Sequence, residues 1–145
     1  MQRKNWQYND GDREAAGYKG QTSDCVTRAI AIAMEIPYRE AYDLVNKFGA
    51  EERRSKNGFR SSARKGVTKK TTRHIIESFG WTWTPTMEIG SGCKVHLKAD
   101  ELPPGRIFVN ASGHVVAVID GVIQDTHDPS REGTRCVYGY WRKAD

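Results

Sequence analysis

The stretch His114-Val-Val-Ala-Val-Ile-Asp-Gly-Val-Ile-Gln-Asp125 constrains the fold more than any other part of this chain. Two β-rich runs flank Asp120-Gly121, a dipeptide suited to a two-residue hairpin turn with positive φ at both central positions. Such a turn fixes register. Ile119 pairs with Val122, and counting back along the strands sets His114 opposite His127. Side chains at 114, 116, 123, 125 and 127 then share one face, with Asp125 the diagonal neighbour of His114. Asp128 falls on the other face by strict alternation, unless a bulge or the strand end brings it round.

The first half of the chain reads as helical. Val26, Ala29, Ile30 and Ala33 recur at helical spacing after Asp24, a residue suited to an N-cap, so a helix is expected to run to about Glu35-Ile36. Pro37 opens a second helix with the apolar stripe Tyr38, Ala41, Tyr42, Val45 and Phe48, and Gly49 is its expected stop. A third helix is expected over Lys69 to Phe79, with Ile75, Ile76 and Phe79 inward. From Trp81 the pattern changes to strands and turns. Trp81-Thr-Trp-Thr84, Lys94-Val-His-Leu-Lys98, Arg106-Ile-Phe-Val-Asn110 and Arg135 to Trp141 are the expected strands beside the hairpin. Residues 1–20 lack periodicity and read as an extended lead-in, with Trp6 and Tyr8 packed on the body. Helices first and antiparallel strands second mean α+β, in one domain over residues 1–145.

No run approaches the roughly 20 apolar residues of a membrane span, so no membrane association is expected. The N-terminus has no apolar run after its charges and does not read as a secretory signal. Three cysteines are an odd, sparse set, which argues against a disulfide framework and for a cytoplasmic location. Cys93 and Cys136 read as packed thiols, and the absence of closely spaced ligand pairs argues against structural zinc. No metal or organic cofactor is expected. The net charge is +5, and residues 53–73 hold nine Lys or Arg with no acid. That basic connection suits an anionic partner, either an acidic protein or nucleic acid, or is simply a solvated link.

Cys25 in the first turn of a core helix is favoured as a thiolate by free backbone N–H groups and the helix dipole. With His114 as its partner and Asp125 orienting the imidazole, it has the elements of Cys-His-Asp acyl transfer. The Cys25 N–H and the Gln21 side-chain amide are candidate oxyanion-hole donors.

Several motifs in this order resemble the papain-like cysteine peptidases, in the compact form of C39-like domains and small phage or prophage proteins. They are Asp24-Cys25 heading an Ala-rich helix, Leu102-Pro-Pro-Gly-Arg-Ile-Phe-Val109, Gly113-His-Val-Val-Ala-Val118, then Asp120-Gly121 and a strand ending near Asp128-Pro129. The resemblance spans about residues 17 to 141. It implies a helical half packed on an antiparallel sheet half with the site between them, and a protein or peptide substrate cleaved through a thioester at Cys25. It maps the acid to Asp128 where strand parity prefers Asp125, and both stay open at this point. The family's glutamine stands farther ahead of its cysteine than Gln21 does, so Ser23 or Asp24 are further candidates for the hole. A catalytically silent binding module on the same fold, and an acyltransferase or deamidase using the same three residues, are the competing readings.

Overall fold

The central hairpin forms with the register its turn dictates. Asp120 and Gly121 have φ of 49° and 79°, and Ile119 pairs with Val122, Val118 with Ile123 and Ala117 with Gln124. A computed structural model describes residues 6–18, 24–52, 60–88 and 90–143. Among these, β1 (Trp6–Tyr8), β2 (Trp81–Pro85), β3 (Arg106–Ala111), β4 (His114–Ile119), β5 (Val122–Asp125) and β6 (Val137–Lys143) make one sheet in the order β1-β5-β4-β3-β6-β2. Helices α1 (Cys25–Ala33), α2 (Tyr38–Ala50) and α3 (Lys69–Ser78) precede most of it in the chain. The fold is α+β.

α1 is buried nearly all round; only Cys25 and Arg28 keep partial exposure. It packs on β3, β4 and β5 on one side and on α2 on the other. That position explains the sequence Ala-Ile-Ala-Ile-Ala, whose small residues allow close approach where a helix has neighbours on two sides. The core formed here joins Ile30, Val45, Ile75 and Ile76 of the helices to Phe108, Ala117, Trp81 and Trp141 of the sheet. A second core lies among Ile107, Val109, Val116, Val118 and Ile123, covered by Leu97, Leu102 and partly buried Trp6. Alternate residues of β3 and β4 serve opposite cores, the period-two rule for a sheet buried on both faces.

Several expectations are corrected. The extended lead-in adds a strand to the sheet: Trp6–Tyr8 pairs in parallel with β5, so the sheet is not wholly antiparallel. Tyr8 is 60% exposed rather than packed. Pro37 is the N-cap of α2 instead of its first residue, and α2 continues through buried Gly49 to Ala50. Phe79 caps α3 and is exposed. Residues 94–98 form no strand, only a bridge between His96 and Cys136. Leu97 drops into the second core, and the chain then turns at Ala99–Glu101.

Cys93 and Cys136 are a disulfide, with Cα atoms 5.8 Å apart, and not separate thiols. Two of the three cysteines are thus withdrawn from the count that suggested a reducing compartment. The basic segment also differs from a simple connection. Residues 53–59 lie outside the described residues, but from residue 60 onward the chain is fastened. Ala63 is fully buried, its N–H donates to Asn46 Oδ1 at 2.9 Å, and its carbonyl accepts from Thr27 Oγ1 at 2.9 Å. Lys69, Lys70 and Arg73 then belong to α3.

Gly139 of β6 is a packing requirement. A Cβ there would stand 2.3 Å from the Trp83 ring. Gly139→Ala is therefore expected to force Trp83 off β6 and cost about 1–3 kcal/mol, read as a lower denaturation midpoint; an unchanged midpoint would contradict this packing.

Candidate active site

α1 begins at Cys25, so the thiol stands in the turn whose amides lack intrahelical partners. Asp24 does not cap the helix with its side chain. Its carboxylate is buried, with Oδ1 2.6 Å from Arg28 Nη1 and Oδ2 accepting from the Tyr38 hydroxyl at 2.8 Å and facing Arg13 Nε at 3.3 Å. A buried carboxylate needs more compensation than one amide supplies, and a guanidinium one turn along provides it. Burial and the adjacent Asp24 carboxylate push the Tyr38 hydroxyl above its usual range.

Across from the helix head, His114 opens β4 and its Nε2 lies 2.7 Å from Asp125 Oδ2. The same imidazole interacts with the Cys25 thiol, and the two side chains border one cleft. Asp125 is 3% exposed at the end of β5. Its Oδ1 accepts from the Thr126 amide at 2.7 Å and meets Arg28 Nη2 at 3.4 Å. Its backbone carbonyl accepts from Asn9 N at 2.9 Å and Trp6 Nε1 at 3.1 Å. The structure thus brings Cys25, His114 and Asp125 into one line. Asp128 stays out of it: it is exposed, and its Oδ1 accepts from Ser130 N at 3.0 Å within a local turn. Gln21 and Ser23 lie outside the described residues.

The line sets the protonation states. Burial disfavours the Cys25 thiolate, but the His114 hydrogen bond and charge, the Val115 amide and Arg28 outweigh it and bring the thiol below its usual pKa. Burial likewise opposes the imidazolium, yet Asp125 and Cys25 raise His114 to about 9. Asp125, despite burial, is held below the usual carboxylate range by His114, the Thr126 amide and Arg28. The three shifts therefore all favour the charged forms, thiolate, imidazolium and carboxylate.

A cleft of about 770 Å³ opens on Cys25 and His114. Trp83, Tyr138 and Trp141, which the sequence places on expected strands, line it together with Asn110, Lys69, Lys70 and Arg73. The Asn110 Oδ1 is buried with no hydrogen-bond partner among the described residues. Arg28 was also missed, although its spacing from Asp24 is the i,i+4 of a helical ion pair. Asn110 carried no local signal, since its place in the cleft depends on how β3, β4 and β6 assemble.

His114, Asp125 and exposed His127 also place one potential metal-ligand atom each within 4.8 Å of one another. The donor set is chemically suitable for a divalent ion. Asp125, however, already holds His114, the Thr126 amide and Arg28, and the guanidinium 3.4 Å away opposes a second cation. No helix among the described residues is long and apolar enough to cross a membrane.

The shifts have opposite signs in stability. His114, raised above its ordinary 6.5, favours the folded state fully below that pH and loses this contribution as pH rises through about 9. Cys25, lowered from 9.0, contributes fully above that pH and loses its contribution as pH falls through its depressed value. Because the two oppose each other in the neutral range, melting is a poor reporter, and titration at the ring itself is the measurement. The His114 ring resonances are expected to titrate near 9, and in Asp125→Asn the midpoint should fall toward 6.5; an unshifted wild-type midpoint would contradict the line. Comparison with protein-family models, with curated proteins and with solved structures found no match, so the site's own geometry is the ground for any functional reading.

Proposed function

We propose that this protein is a papain-like cysteine amide hydrolase with Cys25 as nucleophile, His114 as acid and base, and Asp125 as the residue that orients the imidazole. The observation that carries the reading is the continuous line from Asp125 through His114 to a thiol at a helix head, with the 2.7 Å carboxylate–imidazole hydrogen bond at its centre. Support also comes from the layout: a core helix laid on a sheet whose central hairpin returns His114 and Asp125 to that helix's first turn.

The chemistry follows from the protonation states. The Cys25 thiolate attacks an amide carbonyl carbon, and the developing oxyanion is met by free first-turn amides, that of Cys25 first, with Gln21 as the proposed side-chain donor. His114 gives its proton to the leaving nitrogen as the C–N bond breaks, which leaves a thioester on Cys25. The now neutral imidazole takes a proton from water, whose oxygen attacks the thioester carbon. The acid departs, and the thiolate and imidazolium are restored. Asp125 stays ionised throughout and holds the ring for both transfers.

With the Cys93–Cys136 pair intact, iodoacetamide is expected to label Cys25 alone, at a rate that rises with an apparent pKa below the usual thiol value. His114→Ala should move that midpoint upward, since the largest lowering influence is gone. A midpoint at the ordinary thiol value in the wild type would sink the ion-pair reading. Hydrolysis of an amide substrate, found by an activity-based cysteine-hydrolase probe or a peptide library, should vanish in Cys25→Ala and fall above pH of about 9 as His114 loses its proton. Activity that survives Cys25→Ala would exclude this mechanism.

A further inference from the structure

Three cations of the basic segment stand in the same cleft as the reacting pair. Lys69, Lys70 and Arg73 line it, and among the described residues no Asp or Glu does. Among the described residues no carboxylate lies within 4.0 Å of Lys69 or Lys70, and Arg73 has only exposed Glu77 at 3.8 Å. An exposed pair of that kind contributes little and yields easily to a better partner. The cations are on a fixed support. Thr71, Thr72, Ile75 and Ile76 bury the inner side of α3, and Thr68 caps it by accepting from Thr71 N at 3.2 Å. Trp83 and exposed Tyr138 supply apolar surface in the same cleft.

We infer that this cleft binds an acidic peptide segment, which Lys69, Lys70 and Arg73 hold beside Cys25 so that an adjoining amide is presented to the thiolate. The inference rests on the amide-hydrolase reading and adds the class of its substrate. The reading it rests on favours peptide over nucleic acid, because amide hydrolysis needs an acyl carbon and a phosphodiester backbone has none. Carboxylate side chains complement the cations and raise the encounter rate through long-range attraction.

The test uses the full-length Cys25→Ala protein, which cannot turn substrate over, and fluorescence anisotropy of three probes. These are a labelled peptide of alternating Glu and Ala, its Gln-for-Glu counterpart, and a labelled oligo-dT of similar length. The Glu peptide is expected to bind roughly tenfold or more tightly than either of the others, with affinity falling as salt is added. The double change Lys69→Glu and Lys70→Glu should remove that preference, Lys70→Gln should weaken it, and Lys47→Glu on exposed α2 surface outside the cleft should leave it intact. Both lysines are exposed, and a circular dichroism melt matched to the parent shows that the fold is kept. Equal affinity for the Glu and Gln peptides, tightest binding of oligo-dT, or full affinity in the double variant would each overturn the inference. The two readings fail separately. A Cys25 with ordinary thiol reactivity alongside intact Glu preference removes the hydrolase reading alone, and a reactive Cys25 without charge preference removes this one.

Discussion

The fold and the site meet in one guanidinium. Arg28 projects from α1, pairs with Asp24 one turn before it, and reaches Asp125 at the end of β5. Both carboxylates are buried, and neither could be left uncompensated without a large desolvation cost. The cation that satisfies them therefore ties the head of the core helix to the strand end that carries the acid. Cys25 lies between Asp24 and Arg28 in sequence, so whatever holds those two holds the thiol. The same charge also lowers the pKa of both Cys25 and Asp125.

The rest of the architecture supplies the rigidity this arrangement needs. The sheet is packed on both faces, with the helices on one and Leu97, Leu102 and Trp6 on the other. β4 is an interior strand: His114 pairs with Ala111 of β3, and from Ala117 onward the strand is also held by β5. The cleft wall is less constrained. Trp83 comes from edge strand β2 and rests where Gly139 has no side chain, and Tyr138 is exposed. Cys25, His114 and Asp125 are thus on fixed elements, while the aromatic walls of the cleft lie nearer the periphery, a division that would suit the proposed hydrolase by setting specificity apart from chemistry.

The hairpin was legible in the sequence because one dipeptide determines its turn and the turn determines its register. That register prefers Asp125 over Asp128 as the neighbour of His114, and the structure has Asp125 there. The helices were legible through their apolar stripes. What could not be read depends on pairing between distant segments. The β1–β5 contact rests on three residues with no period to detect, and the Cys93–Cys136 pairing joins positions 43 residues apart. Asp24 was legible as a helix start but not as a buried ion-pair partner, because capping and ion pairing both use a carboxylate. Position 24 needed the reading of Arg28 beside it.

Asp125 has a dependence that its side chain does not reveal. Its carbonyl accepts from Asn9 N and Trp6 Nε1, both supplied by the three-residue edge strand and the residue after it. β1 has only β5 as a neighbour in the sheet, and short edge strands are among the first elements to detach in local opening. The precision with which the imidazole is held is therefore limited by one of the least anchored pieces of the molecule. Sequence changes near residue 6 would be felt at the carboxylate well before the helices or the central hairpin lost their packing.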